Sequence, residues 1–438
     1  ACFQQEASAR VDHAHMMRDR VMPDQIHNFA HNNEWLIRNL NHLGRASDAV
    51  ALARNMIELP RHPKYNSLAK PNEPTEYGKR GSARYGRTRL LETLLRYEMW
   101  DEIIDASQTV YLEPTTIPEE QAKRLAAVGA AHYALGQVEK GAGILDRFDD
   151  LEDQMQERKI AAVAKAEKET KEGKKNEKET KKAREKAMKP FDSQLKTVNE
   201  YRAELLACQA VVDGNVDAFK QEIAKAGKLS NERKSQLHLR IDDKKEAEKL
   251  AARAAQAEGQ LQPLANHADI LWRNGKEKEA IEQFKKLRTL SAHLDIERAV
   301  FQRLAPIAQK LSLPDDWRVA FQPADDIGDR PSLDTLGPFR WTPSPAPRWE
   351  LTDGQGKQHS LADYAGRPVI VIFYLGKGCA HCIEQLGIFA PETDRFREAG
   401  IDLIAISTDH IAGLRETVQQ NKTGDPFPFP LVSDASLK

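Results

Sequence analysis

The chain holds 438 residues, enough at roughly 150 per domain for about three units with cores of their own. Lys and Arg (65) nearly balance Asp and Glu (66), and the net charge of -1 excludes both a globally basic nucleic-acid coat and a strongly acidic protein. Four cysteines are too few for a disulfide scaffold, and the longest apolar run, 368–375, falls far short of the ~18 residues of a membrane span.

The amino end opens Ala1-Cys2-Phe3, without an initiator Met or a basic leader, so a processed or partly observed chain is expected, with Cys2 ahead of any structure. From about residue 10 to 310, apolar residues recur at three-and-four spacing and predict helices. His13, His15, His27 and His31 cluster early. His27 and His31 are four apart and would share a helix face, which suits a metal or haem pocket. No Glu stands between them in an HExxH arrangement, so a polar helix carrying histidines is the expectation, and no metal site is predicted.

A helix-turn-helix pattern then recurs. Gly44, Ala49 and Ala53 share their spacing with Gly275, Ala280 and Phe284; Gly136, Gly141 and Leu145 follow it more loosely. The stretch 96–103 reads as the same turn without its glycine. Glycine permits the tight turn, and a small residue beyond it lets the two helices approach. These positions, with Pro60 and Pro114 after second helices, resemble the tetratricopeptide repeat, which implies a scaffold that binds a protein partner. The glycines do not keep a fixed period, so insertions such as 60–86 must interrupt the array; an ordinary helical bundle is the alternative.

Between 165 and 189 stand 11 Lys/Arg and 6 Glu, a local charge of +5, with no apolar stripe to pack into a core. The i,i+4 pairs Glu167/Lys171 and Glu177/Lys181 support a solvated helical projection at about 150–190. Its tip is expected at 173–176 and its end at Pro190. Interspersed glutamates and missing aromatics argue against nucleic acid here. Cys208, in an apolar helix, is expected to pack in the core. Seven prolines from Pro314 to Pro347 mark a linker at 311–347.

Beyond it the pattern changes. Residues 349–356 read as a strand and turn; Val369-Ile-Val-Ile-Phe-Tyr374 reads as a strand buried on both faces. Next come Gly376-Lys-Gly-Cys379-Ala-His381-Cys382, a helix to Ala399, a strand at 401–407 and a helix at 411–421. That alternation implies a parallel α/β unit. A CxxC where a buried strand meets a helix has a specific chemistry. Free N–H groups at the helix start stabilise a thiolate, and cysteines three apart can cycle between dithiol and disulfide. Zinc would need further ligands nearby, and a haem attachment would need His where Ile383 stands. No cofactor is predicted.

From Trp349 to the end the sequence resembles the alkyl hydroperoxide reductase/thiol-specific antioxidant (AhpC/TSA) branch of the thioredoxin superfamily. The resemblance rests on Asp353-Gly-Gln-Gly356, Ser360-Leu-Ala-Asp-Tyr364, Gly366-Arg-Pro-Val369, Phe373-Tyr374, the CxxC, Ser407-Thr-Asp409 and Phe429-Pro-Leu-Val-Ser-Asp434. It implies thiol chemistry at Cys379 and Cys382, in one of two assignments. Counting from Phe373 as in peroxiredoxins makes Cys382 the peroxidatic cysteine, with Cys379 where that family has Thr or Ser. Counting as in thioredoxin-like reductases makes Cys379 the nucleophile and Cys382 its resolving partner. His381 is expected to modulate the thiolate, as a His before the second cysteine does in strongly oxidising disulfide oxidases. The cis-proline or arginine that completes these sites in the family would fall beyond Lys438, so the domain is expected to be incomplete at its carboxy end.

The sequence thus predicts a multidomain chain. A tetratricopeptide-like all-α array (1–310) and a Pro-rich linker (311–347) precede an α/β thioredoxin-like redox domain (348–438). The expected function is a thiol-disulfide oxidoreductase or thiol-dependent peroxidase. Its partners would be a protein on the array, a thiol reductant and a disulfide or peroxide. The alternative is an interaction scaffold with a vestigial redox domain. A CxxC protein of this kind points to a bacterial periplasm or envelope.

Overall fold

The computed structural model describes residues 2–62, 81–173, 176–257, 259–322, 328–419 and 426–437. The expected insertion at 60–86, the tip at 173–176, Pro323 and the helix end at Asn421 lie wholly or partly outside these. The chain divides into two compact units, Ala1–Thr342 and Pro343–Lys438, and 66% of it is helical.

After α1 (Cys2–Asp19), the first unit contains six helix pairs among the described residues. They are α2 (Phe29–His42) with α3 (Ala46–Glu58), α4 (Ser82–Arg96) with α5 (Trp100–Ser107), and α6 (Pro118–Ala134) with α7 (Val138–Glu172). Next come α8 (Glu177–Val212) with α9 (Val216–Lys225), α10 (Asn231–Arg240) with α11 (Lys244–Ala254), and α12 (Leu261–Arg273) with α13 (Glu277–Thr289).

All six pairs are built on one turn. Its pivot has a left-handed backbone: Gly44 (φ 75°), Glu98 (56°), Gly136 (72°), Gly214 (66°), Asp242 (61°) and Gly275 (81°). After each pivot the next N–H donates to the carbonyl five residues back, at 2.8–3.0 Å, from Arg45 to Leu40 in the first turn through Lys276 to Leu271 in the last. This is the Schellman closure that satisfies the end of the leading helix. Five residues past each pivot the chain is buried, at Ala49, Ile103, Gly141, Phe219, Ala247 and Ala280.

The array curls back on itself. Past α13, Asp295 N–H donates to the Gly44 carbonyl at 3.0 Å, and the Asp295 carboxylate accepts from Ser47 N–H at 2.6 Å. The short helices α14 (Ala299–Gln302) and α15 (Ala305–Lys310) follow. Between them Arg303 grips Glu98 with two bonds of 2.7 and 2.8 Å, and Phe301 lies 6.1 Å from Tyr97 between ring centroids. A Cβ on Gly44 would stand 2.7 Å from that of Leu294, so this close approach also requires glycine.

Part of the Pro-rich stretch is bound to the helices rather than free. Around α16 (Leu333–Leu336), Arg10 donates to Asp334 and to the Gly337 carbonyl, and Asn55 exchanges two hydrogen bonds with the Trp341 backbone.

Three sequence expectations need correction. Cys2 opens α1 and packs against the helical core. Pro190 lies inside α8 and does not end it, because the carbonyl it frees, at Lys186, is on an exposed stretch that water can serve. His27 and His31 do not share a helix: Asn28, with φ 65°, caps α2 between them. His13 is a core residue, edge-on to Phe29 and 3.2 Å from the Pro338 carbonyl.

The second unit is a five-stranded mixed sheet in the order β2-β1-β5-β4-β3. The hairpin β1 (Glu350–Asp353) and β2 (Gln358–Ser360) precedes β3 (Val369–Tyr374), which pairs in parallel with β4 (Asp402–Ser407). β5 (Leu431–Ser433) continues the parallel set and joins it to β1 in antiparallel fashion. The predicted helix to Ala399 is broken at Pro391 into α17 (Ala380–Phe389), a 3-10 turn and α18 (Thr393–Glu398); α19 (Ile411–Gln419) follows β4.

Candidate functional site

In parallel α/β sheets, sites form beyond the carboxyl ends of the strands. β3 carries the chain to that edge at Tyr374, and α17 starts six residues later. The loop between them is fixed by a carboxylate from the end of β4. The Asp409 Oδ2 atom accepts the Lys377 N–H at 2.6 Å. Gly376 has φ 114°, and a Cβ there would stand 2.4 Å from Asp409 Oδ1, so no side chain fits. Farther out, Lys377 Nζ pairs with Glu416 of α19 at 2.6 Å. Asp409 itself is held by Ser433, whose hydroxyl donates to its carbonyl at 2.5 Å. In the sequence Asp409 stands out only as the last residue of Ser407-Thr-Asp409. Its role as an acceptor for backbone leaves no trace in spacing.

This loop delivers Cys379 to the N-cap of α17 and Cys382 to its first turn. The two cysteines are joined in a disulfide, with Cα atoms 5.2 Å apart. They are not equivalent. The Cys382 N–H donates to Cys379 Sγ at 3.2 Å, so Cys379 stands where a capping side chain accepts an otherwise unpaired helix N–H. Cys382 instead packs against the core formed by Ile372, Leu386 and Leu403. Both sulfur-bearing residues are half-buried.

His381, between them, is 99% exposed, with Nδ1 3.8 Å from Glu384. At that exposure water and salt screen its field. In the elements that flank the pair, Phe373 (77% exposed) and Leu375 (80%) at the end of β3 and Ile388 in α17 are exposed apolar residues.

The other two cysteines belong to the helical unit. Cys208 is buried, and burial pushes its thiol up to about 11; burial also raises the half-buried Cys2. Among the described residues no group of three or more His, Cys, Asp or Glu is placed to hold a metal, and no helix is long and apolar enough to cross a membrane.

Comparison with known proteins bears on the same unit. The AhpC/TSA family matches residues 343–438, starting where the second unit starts. Chloroplastic peroxiredoxin Q of rice (Oryza sativa subsp. japonica) is 36% identical over 95 residues, 22% of this chain and 42% of the relative. Chloroplastic peroxiredoxin Q of Suaeda salsa is 33% identical over 92 residues, 21% of this chain and 41% of the relative. The chain therefore spans less than half the length of these relatives. Residues 343–438 are an AhpC/TSA, peroxiredoxin-like domain carried behind a helical unit.

Proposed function

We propose that the second unit is a thiol-dependent oxidoreductase in which Cys379 attacks and Cys382 resolves. The observation that carries this reading is the helix N–H directed at Cys379 Sγ. In the reduced state that N–H and the positive helix end stabilise a thiolate at Cys379 in preference to Cys382. Against a disulfide, the Cys379 thiolate displaces one thiolate and forms a mixed disulfide. Cys382 then attacks the Cys379 sulfur and releases the second thiolate, so two electrons pass from the dithiol to the substrate. Against a hydroperoxide, Cys379 takes the terminal oxygen as a sulfenic acid and an alcohol leaves. Cys382 condenses with the sulfenic acid, releasing water, and an external thiol restores the dithiol.

The likeness to peroxiredoxins supports a peroxide substrate; the CxxC supports disulfide exchange. His381 modulates the pair from a solvent-exposed position between the two cysteines. The repeated helix pairs act as a tetratricopeptide-like scaffold for a protein partner.

The test is separate replacement of the two cysteines in the full chain, with peroxide consumption and insulin disulfide reduction assayed in parallel. Cys382→Ser should trap a mixed disulfide or sulfenic acid at Cys379, and Cys379→Ser should react with neither substrate. Peroxide turnover that survives Cys379→Ser and is lost in Cys382→Ser would reverse the assignment. Wild type inactive in both assays would leave the unit a docking module.

A further inference from the structure

Where the helical array curls on itself it forms a partly open cavity of about 580 Å³, walled by the leading helices α2, α4, α6, α8 and α10 and by the start of α12. This volume is in the range of small-molecule sites, yet the lining is ionic. Much of the charge is already committed. Arg89 pairs with Glu34 and Glu92, Lys123 with Glu92, Lys228 with Glu200, and Glu98 with Arg303.

Three guanidinium groups in the wall form no ion pair with a carboxylate among the described residues, although the charge of Arg233 is felt at Glu204. Arg38 stacks on Trp35 at 4.4 Å, and Arg233 stacks on Trp100 at 4.4 Å with its Nε buried and unbonded. Arg96 reaches only the side-chain oxygen of Gln260, at 3.2 Å. The first two are held by aromatic faces, which orient a guanidinium plane without neutralising it. His42 registers their field: burial, Arg96 and Arg38 all lower its pKa.

The same wall contains a second anomaly. Glu204 is 6% exposed, yet its carboxyl makes no hydrogen bond or ion pair among the described residues. Its oxygens are not among the fully buried unpaired atoms, so they open onto the cavity and can accept a hydrogen bond there.

We infer that this cavity binds a small organic dianion. Arg38, Arg96 and Arg233 hold its carboxylate or phosphate oxygens, and Glu204 accepts a hydrogen bond from a hydroxyl group on the same molecule. Planar guanidinium forks match either oxyanion, so the shared chemistry is a hydroxyl-bearing dianion. Carboxylate and phosphate are separated by experiment. A molecule seated here touches α2, α4, α8 and α10 together, so it stabilises the curled array by mass action.

The test is calorimetric titration of the full chain with malate and, separately, with ribose 5-phosphate, at constant ionic strength. One of them should bind saturably with a Kd below about 1 mM and raise the melting temperature of the helical unit. Arg96→Gln and Arg233→Gln should each weaken binding at least about tenfold, while the exposed Lys140→Gln should not. Circular dichroism identifies any variant that fails to fold; Arg38→Gln then takes its place. No saturable heat with either compound up to about 10 mM would overturn the proposal. Binding indifferent to these arginines would do the same, as would tight binding of hexaglutamate that excludes both compounds, which would make the site a groove for acidic peptides.

Discussion

Replacing Glu204 by glutamine will stabilise the helical unit in mild alkali and change it far less in mild acid. Burial pushes this carboxyl up to about 7, against the pull of Arg233, Lys123 and Lys234. The sign follows from proton binding. Between its ordinary value of 4.5 and about 7 the folded chain holds a proton that the unfolded chain has lost. Stability is therefore lost as pH rises through this window. The loss is roughly 3 kcal/mol by about pH 8 but under about 1 kcal/mol near pH 5.

Glutamine keeps the shape and does not ionise. Its pH-independent packing change cancels when the gain near pH 8 is compared with the gain near pH 5. The remaining double difference is about 2.5 kcal/mol. An unfolding entropy of roughly 2 cal/mol/K per residue over Ala1–Thr342 turns this into about 3–4 °C. Thermal melts of wild type and variant, followed by circular dichroism at the two pH values, measure it. Equal shifts at both, or a larger gain in acid, would refute the reasoning.

His13 should show the opposite slope. Its imidazole is lowered to about 4, first by burial, so the unfolded chain binds the extra proton between about 4 and 6.5, and stability falls as pH drops through that range. His13→Gln should shrink the wild-type loss between about pH 7 and 4.5 by roughly 2 kcal/mol, read from urea midpoints. Gly376→Ala, which drives a Cβ into the Asp409 carboxylate, should slow reaction of the reduced CxxC with a model disulfide about tenfold and leave the helical melt unchanged. Cys208, pushed up to about 11, should resist iodoacetamide near pH 8 in the native protein and react in urea; rapid native labelling would contradict its burial.

The peroxiredoxin-like unit was legible because its signals are local: an unbroken β-branched run, a CxxC and a helix in immediate succession. The helical turns were only partly legible. Glycine marked those at 44, 136 and 275, and the stretch around Glu98 was read as a turn despite lacking one. The turns at Gly214 and Asp242 do not stand out in the sequence: Phe219 rather than a small residue follows the first, and an aspartate tolerates the left-handed conformation at the second. The pivots are also unequally spaced, since α7 and α8 run to 35 and 36 residues, so a fixed period does not find them. The cavity was invisible for a different reason. Arg38, Arg96, Glu204 and Arg233 meet only because the array bends, and nothing in their sequence neighbourhoods distinguishes them from surface charges.

The bonds from Asp295 to Gly44 and from Arg303 to Glu98 also bear on how the helical unit comes apart. A stack of helix pairs whose ends are free frays from its tips inward, each pair lost nearly independently of those beyond it. Here the last turn is bonded to the first, so neither tip is a free place for melting to start. Separating them breaks contacts between residues some 205 to 251 positions apart all at once. Hydrogen exchange at the Gly44 and Gly275 turns should therefore report one shared opening, with amides near both ends protected to the same degree.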